Sequence, residues 1–157
     1  MKKKLLRIGI AVLLCLLVGF LSSISTQTSI KTWYVVIKKP PFTPPNWIFA
    51  PVWTMLYILM GIAAGIVWSK GFYHKWVKIA LYHFGFQLLL NAAWSIFFFG
   101  LRNPLIAFVD ILALCILLLF TIRWFKVVNS LAAYLLIPYL VWVAFAAVLN
   151  FSIWQLN

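Results

Sequence analysis

Residues 104–122 read PLIAFVDILALCILLLFTI, a run whose single charged side chain is Asp110. At 1.5 Å of rise per residue such a run spans about 28 Å as a helix, close to the hydrocarbon core of a bilayer. The run is continuously apolar and does not alternate with period two, so it reads as a helix and not as a barrel strand. Inside lipid the backbone must satisfy its own hydrogen bonds, and a helix does this within the segment. Four further runs share this character, at about 5–24, 47–69, 76–99 and 131–154. The expected fold class is an all-α membrane protein: one domain over residues 1–157, a bundle of five transmembrane helices.

Composition excludes the other classes. Of the 157 residues 66% are hydrophobic and 9% charged, and Asp110 is the only acidic residue. A water-soluble globule could not cover its surface with so few charges. Disorder is excluded because there is too much apolar surface. The net charge of +12 would suggest a nucleic-acid partner in a soluble chain. Here the thirteen Lys and Arg residues stand at the edges of apolar runs, where they anchor helices, and no nucleic acid is expected.

Met1-Lys2-Lys3-Lys4-Leu5-Leu6-Arg7 resembles the start of a signal peptide. The apolar run after it is longer than a typical signal core, so the first helix is expected to be retained. Basic residues set the orientation. Nine lie on one side: Lys2, Lys3, Lys4, Arg7, Lys70, Lys75, Lys78, Arg123 and Lys126. Four lie on the other: Lys31, Lys38, Lys39 and Arg102. The positive-inside rule then places the N-terminus in the cytoplasm and the C-terminus outside.

The connection over residues 25–46 is unlike a linker. It holds Trp33-Tyr34 and the run Lys38-Lys39-Pro40-Pro41-Phe42-Thr43-Pro44-Pro45. Its prolines keep the chain extended and its aromatics favour packing. The favoured reading is a cap over the outer end of the bundle, with an interfacial loop as the alternative.

The catalytic inventory is thin. A single acid excludes paired carboxylates. His74 and His83 lack a partner at metal-ligand spacing, and His83 reads as a hydrogen-bonded structural histidine. No metal and no resident cofactor are expected. Cys15 and Cys115 lie inside spans and read as packing residues. Polar groups within spans carry more weight, because lipid makes them costly. Asn91 lies roughly 8 Å and Asp110 roughly 9 Å from the outer boundary, counting helical rise. Trp53, Tyr57, Trp142, Ala146 and Asn150 fall in the middle and outer part of their helices. These residues either line a small-molecule site or bond helices to one another. Pro51 suits a helix start, and Pro138 should kink the fifth helix by removing the bond to the Tyr134 carbonyl, opening space beside Trp142. Gly61-Ile62-Ala63-Ala64-Gly65 marks close helix contact, within the chain or on a dimer face. Nine Trp and fourteen Phe exceed what interfacial belts need, and some suit a flat aromatic ligand. Lys31, Lys38 and Lys39 stand near the outer mouth, where they suit ligand carboxylates.

The run Trp33-Tyr34, Lys39-Pro40, Pro44-Pro45, Trp47, Pro51-Val52-Trp53, Leu56-Tyr57, Met60-Gly61 and Val67-Trp68 closely resembles the translocator protein family, also called the tryptophan-rich sensory protein (TspO/MBR) or peripheral benzodiazepine receptor family. The likeness continues through Gln87-Leu88, Leu90-Asn91, Trp94, Phe98-Phe99-Gly100 and Val109-Asp110. It closes with Pro138-Tyr139-Leu140, Trp142, Phe145-Ala146, Leu149-Asn150 and Trp154. The resemblance implies a membrane receptor or sensor that binds porphyrins, notably protoporphyrin IX, and isoquinoline carboxamides and benzodiazepines. It implies ligand contacts at Trp33, Tyr34, Phe42, Trp53, Tyr57, Asn91, Trp142 and Ala146, and Asp110 is grouped with these by its depth. Trp53 and Trp142 match tryptophans tied to light-dependent porphyrin breakdown, so they are the catalytic candidates if such breakdown occurs. Tetrapyrrole transport is a further alternative. The family also implies a homodimer and, for a bacterial member, the plasma membrane. Phe151 and Gln155 stand where the animal cholesterol motif needs a tyrosine and a base, so sterol recognition is not carried over.

Overall fold

A computed structural model describes residues 1–157. Helix α1 covers Lys2–Ser29, and a single turn α2 covers Trp33–Val36. The second long helix, α3, covers Asn46–Ser69 and starts directly after the extended Pro45. Helix α4 covers Lys75–Ser95 and widens into a π-turn over Ile96–Gly100. Helix α5 covers Pro104–Val128; the Asn103 side chain accepts from the Ile106 N–H at 3.2 Å and caps it, with proline in the first turn. Two pieces, α6 over Ser130–Leu135 and α7 over Ile137–Leu156, form the last span. Five segments are long and apolar enough to cross a membrane.

The five expected spans are therefore present, with longer ends. The first helix runs on to Ser29 because nothing in its serine- and threonine-rich end breaks a helix. The fourth runs on past Arg123 and Lys126, whose long stems let a charge leave the hydrocarbon while the helix continues. The fifth breaks at Leu136, two residues ahead of Pro138, and Leu136 N–H bonds back to the Ala133 carbonyl at 3.1 Å.

Packing explains the two glycines of α3. A Cβ built on Gly61 would stand 2.3 Å from Val12 Cα, and one on Gly65 would stand 2.4 Å from Ile8 Cα. The GxxxG motif is thus spent within the chain: it lets the backbones of α1 and α3 touch. Around and beyond that contact lies the main core, with Met60, Ala63, Val67, Leu118, Phe125, Leu136, Tyr139 and Val143 almost fully buried. Leu13, Phe86, Leu89, Val109, Val141 and Val148 point outward and supply the apolar shell that lipid solvates. His83 is half-buried, with Nδ1 bonded to the Ile79 carbonyl at 2.8 Å and its ring beside Trp124.

The connection between α1 and α3 is a cap. Tyr34 is 2% exposed and sits among Phe49, Phe98 and Phe99, with ring centroids 5.7–6.4 Å away. Lys39 Nζ donates to the Tyr34 carbonyl at 2.6 Å and lies 4.8 Å from the Tyr34 ring centroid. Phe42 rests against Phe145 at 6.3 Å. The Asn157 side chain grips the loop in both directions. It accepts from Lys38 N–H at 3.1 Å and donates to the Lys38 carbonyl at 2.8 Å.

Candidate functional site

Under the cap lies a cavity of about 500 Å³ bounded by α1, α3, α4 and α7. Its floor is a chain of buried hydrogen bonds. Tyr57 Oη donates to Asn91 Oδ1 at 2.6 Å, Asn91 Nδ2 donates to Tyr139 Oη at 2.6 Å, and Tyr139 Oη donates to Gln87 Oε1 at 2.8 Å. These four residues tie α3, α4 and α7 together at one level. The far half of the bundle, where α1 and α3 close on each other, lies beyond them.

The walls are aromatic. Trp53 lies 5.7 Å from Tyr57 and 6.4 Å from Tyr139. Trp142 lies 6.3 Å from Phe49 and 5.5 Å from Phe145. The π-turn supplies the roof beside Tyr34, and its consecutive Phe98 and Phe99 are both buried. That turn is held from outside. Ser29 Oγ donates to the Phe99 carbonyl at 2.5 Å, and Asn103 N–H bonds to the Phe97 carbonyl at 3.0 Å. Arg102, at φ 53°, turns the chain into α5 and directs Nε to Ser29 Oγ at 3.4 Å. Asn150 bridges the wall, accepting from Trp94 Nε1 at 2.9 Å and donating to the Pro104 carbonyl at 2.8 Å. Asn91 and Asn150 therefore do both things that the sequence leaves open: they bond helices together and they line the cavity.

Of the site residues expected from the sequence, the structure brings together Tyr34, Trp53, Tyr57, Asn91, Trp142 and Ala146 around this space. Trp33, Phe42 and Asp110 stand outside it. Trp33 packs 5.5 Å from Phe98 behind the roof. Asp110 lies on α5, which contributes nothing to the cavity lining, in a shallow apolar groove with Phe97, Leu105 and Val109. No charged side chain lines the cavity. Lys39 is committed to loop carbonyls. Burial among aromatic rings pushes the Tyr34 phenol up to about 12.

Sequence reading misses the contribution of α1. Ser22, Ser23, Thr26 and Gln27 all line the cavity, opposite Asn46, Ala50 and Thr54 of α3. The signal is present in their spacing, since positions 22, 23, 26 and 27 share one helical face. Ala50, Thr54, Asn46 and Gln27 are also exposed at the bundle surface, so the cavity opens sideways between α1 and α3.

Comparison with known proteins gives a consistent result. A profile described as the TspO/MBR family matches residues 11–155. The tryptophan-rich protein TspO of Archaeoglobus fulgidus is 47% identical over 154 residues, covering 98% of this chain and 98% of that protein. The protein of the same name from Chlorobaculum tepidum is 43% identical over 157 residues, covering 100% of this chain and 99% of its own. The translocator protein of Ovis aries is 41% identical over 140 residues, covering 88% of this chain and 83% of its own.

Proposed function

This chain belongs to the TspO/MBR family of integral membrane proteins, and from that premise we propose that it is a sensor-type receptor for porphyrins. Protoporphyrin IX is the ligand proposed, with isoquinoline carboxamides and benzodiazepines as drug-like occupants of the same space. The observation that carries the reading is the capped cavity of about 500 Å³, with Trp53 and Trp142 on facing helices and no charge in its lining. A flat macrocycle stacks on such indoles, each pair contributing about 0.5–1.5 kcal/mol beyond burial. Tyr57 and Asn91 form the polar floor on which the ring rests.

One further reading has an observation behind it. Trp142 Nε1 is buried and has no hydrogen-bond partner, so the indole is not tied into the structural network. A tryptophan held that way beside a light-absorbing pigment suits light-driven oxidative breakdown of the porphyrin, with dioxygen as the oxidant. Transport has less support, since the polar lining stops at the Tyr57–Asn91–Tyr139 floor.

The test is a protoporphyrin IX titration in nanodiscs, followed by tryptophan quenching and porphyrin absorption, in the dark and in light. Saturable dark binding that survives Trp142→Phe, weakened by about tenfold or less from lost stacking, supports the receptor. Loss of the porphyrin spectrum in light, abolished by the same substitution, favours breakdown. Absence of saturable binding refutes both.

A further inference from the structure

The cavity has no cation in its lining, yet a porphyrin carries carboxylates. Its apolar plate is provided for by Trp53 and Trp142; its polar edge needs a different partner. Of the cap lysines Lys31, Lys38 and Lys39 none lines the cavity, and Lys39 spends its ammonium on the carbonyls of Tyr34 and Ile37. The cap itself is closed: Tyr34 is buried, and Asn157 clasps Lys38 from both sides. An amphiphile reaching the cavity through the cap would have to break these contacts. The side opening between α1 and α3 has no such obstacle.

That opening has polar banks at the capped end of the bundle, just beyond the apolar runs at about 5–24 and 47–69. Gln27 and Asn46 are exposed on its two banks and line the cavity, and neither side chain makes a hydrogen bond within the chain. Polar groups on a membrane-facing surface are costly unless they meet water, headgroups or a ligand. Gln27 lies in the last turn of α1 and Asn46 in the first turn of α3, so both stand at the capped end of the bundle. Each amide offers donors and an acceptor without introducing a charge.

We propose that the cleft between α1 and α3 is the ligand's entrance from the bilayer, and that Gln27 and Asn46 form a polar subsite there that reads the hydrogen-bonding edge of an amphiphile. The ligand slides in plate-first, and its carboxylate or carbonyl edge stays at the mouth, held by neutral amides. This rests on the porphyrin reading above. It differs from it in assigning the route and the residues that select the polar edge.

The experiment is stopped-flow tryptophan quenching in nanodiscs with protoporphyrin IX and, separately, its dimethyl ester. The proteins are the parent, Gln27→Ala/Asn46→Ala, Ala50→Trp and Asn157→Ala. The double variant should release protoporphyrin IX about tenfold faster, the loss expected for two modest hydrogen bonds, and should narrow the difference between acid and ester. Ala50→Trp fills the mouth from an exposed position and should slow association several-fold. Asn157→Ala loosens the cap and should leave association unchanged. Because the double variant changes only exposed side chains, it tests the subsite even if the tryptophan variant fails to fold. Normal parent binding with an unaltered double variant would overturn the inference alone, as would association accelerated by Asn157→Ala. A parent without saturable quenching would overturn the porphyrin reading and this inference with it.

Discussion

Replacing Tyr57 by Phe removes one oxygen and leaves the ring. Asn91 Oδ1 then loses its donor at 2.6 Å, while Asn91 Nδ2 keeps Tyr139. Asn91 is 3% exposed and Tyr57 6%, so the Asn91 oxygen is left with little access to solvent. Interhelical hydrogen bonds in membranes average about 0.6 kcal/mol and reach about 1.7. A buried acceptor left unpaired costs about 1–3 kcal/mol. The expected loss is therefore about 1–2 kcal/mol. Asn91→Leu removes two bonds and orphans the Tyr57 hydroxyl, so it should cost more. The double variant should cost less than the sum, by about 0.6–1.7 kcal/mol, because the orphaned hydroxyl is gone as well.

The assay is reversible unfolding in mixed micelles with rising dodecyl sulfate, read by tryptophan fluorescence, alongside dark porphyrin binding. If the network positions Asn91, Tyr57→Phe should weaken binding as well as stability, although its ring is unchanged. Additivity of the two single variants within about 0.3–0.5 kcal/mol would refute the coupling. Unchanged binding in Tyr57→Phe, with binding abolished in Asn91→Leu, would make Asn91 a direct ligand contact and not a positioned part of a floor.

Gly61→Leu should cost about 1–3 kcal/mol in the same unfolding assay, because its Cβ meets the Val12 backbone and no rotamer can yield. Gly85→Ala, which meets nothing within 4 Å, should be neutral or gain up to about 1 kcal/mol of helix propensity; a matching loss at both sites would refute the packing account. Asn157→Ala should speed hydrogen exchange at the Lys38 amide, and unchanged exchange would mean that the clasp does not hold the cap. Ultraviolet titration should show one phenol ionising near pH 12, absent in Tyr34→Phe. Since the fold favours the neutral phenol and the unfolded chain ionises near 10, this residue's contribution to stability is full below pH 10 and falls between 10 and 12. A titration identical in Tyr34→Phe would refute the burial of that ring.

The number of spans and a distortion at Pro138 are legible because both follow from local chemistry, apolar length and a missing N–H; the sequence reads as a kink, and the structure goes further, with a break at Leu136. Depth is legible too, since residue count times helical rise measures it. Azimuth is not. Asn91 and Asp110 read as neighbours by depth, yet Asn91 faces the cavity from α4 while Asp110 faces a groove beside α5, a helix that does not reach the cavity. Each helix turns 100° per residue, and which face meets which neighbour depends on partners far away in sequence. The π-turn is hidden for a related reason. Nothing in Ile96-Phe97-Phe98-Phe99-Gly100 announces it, because Ser29, seventy residues away, is what binds the Phe99 carbonyl.

One ridge of α3 explains why there is a cavity at all. Positions 65, 61, 57, 53 and 49 fall four apart, along one packing row of the helix. They hold Gly65, Gly61, Tyr57, Trp53 and Phe49. At the two glycines α1 touches the α3 backbone. At Tyr57 a ring intervenes, and a Cβ on Gly19 would stand 2.5 Å from its Cε2. At Trp53 and Phe49 the helices no longer meet, and the space between them is the cavity. The row grades from no side chain to large aromatics within four turns, so it acts as a wedge that holds α1 off at the capped end. The same rings then furnish the walls. It follows that Trp53→Gly should not enlarge the site. It should let α1 settle onto α3, closing the side opening and lowering porphyrin binding by more than the loss of one stacking partner, about tenfold, accounts for. A Trp53→Gly protein that binds larger ligands, or binds porphyrin within that tenfold, would show that something other than the ridge keeps the two helices apart.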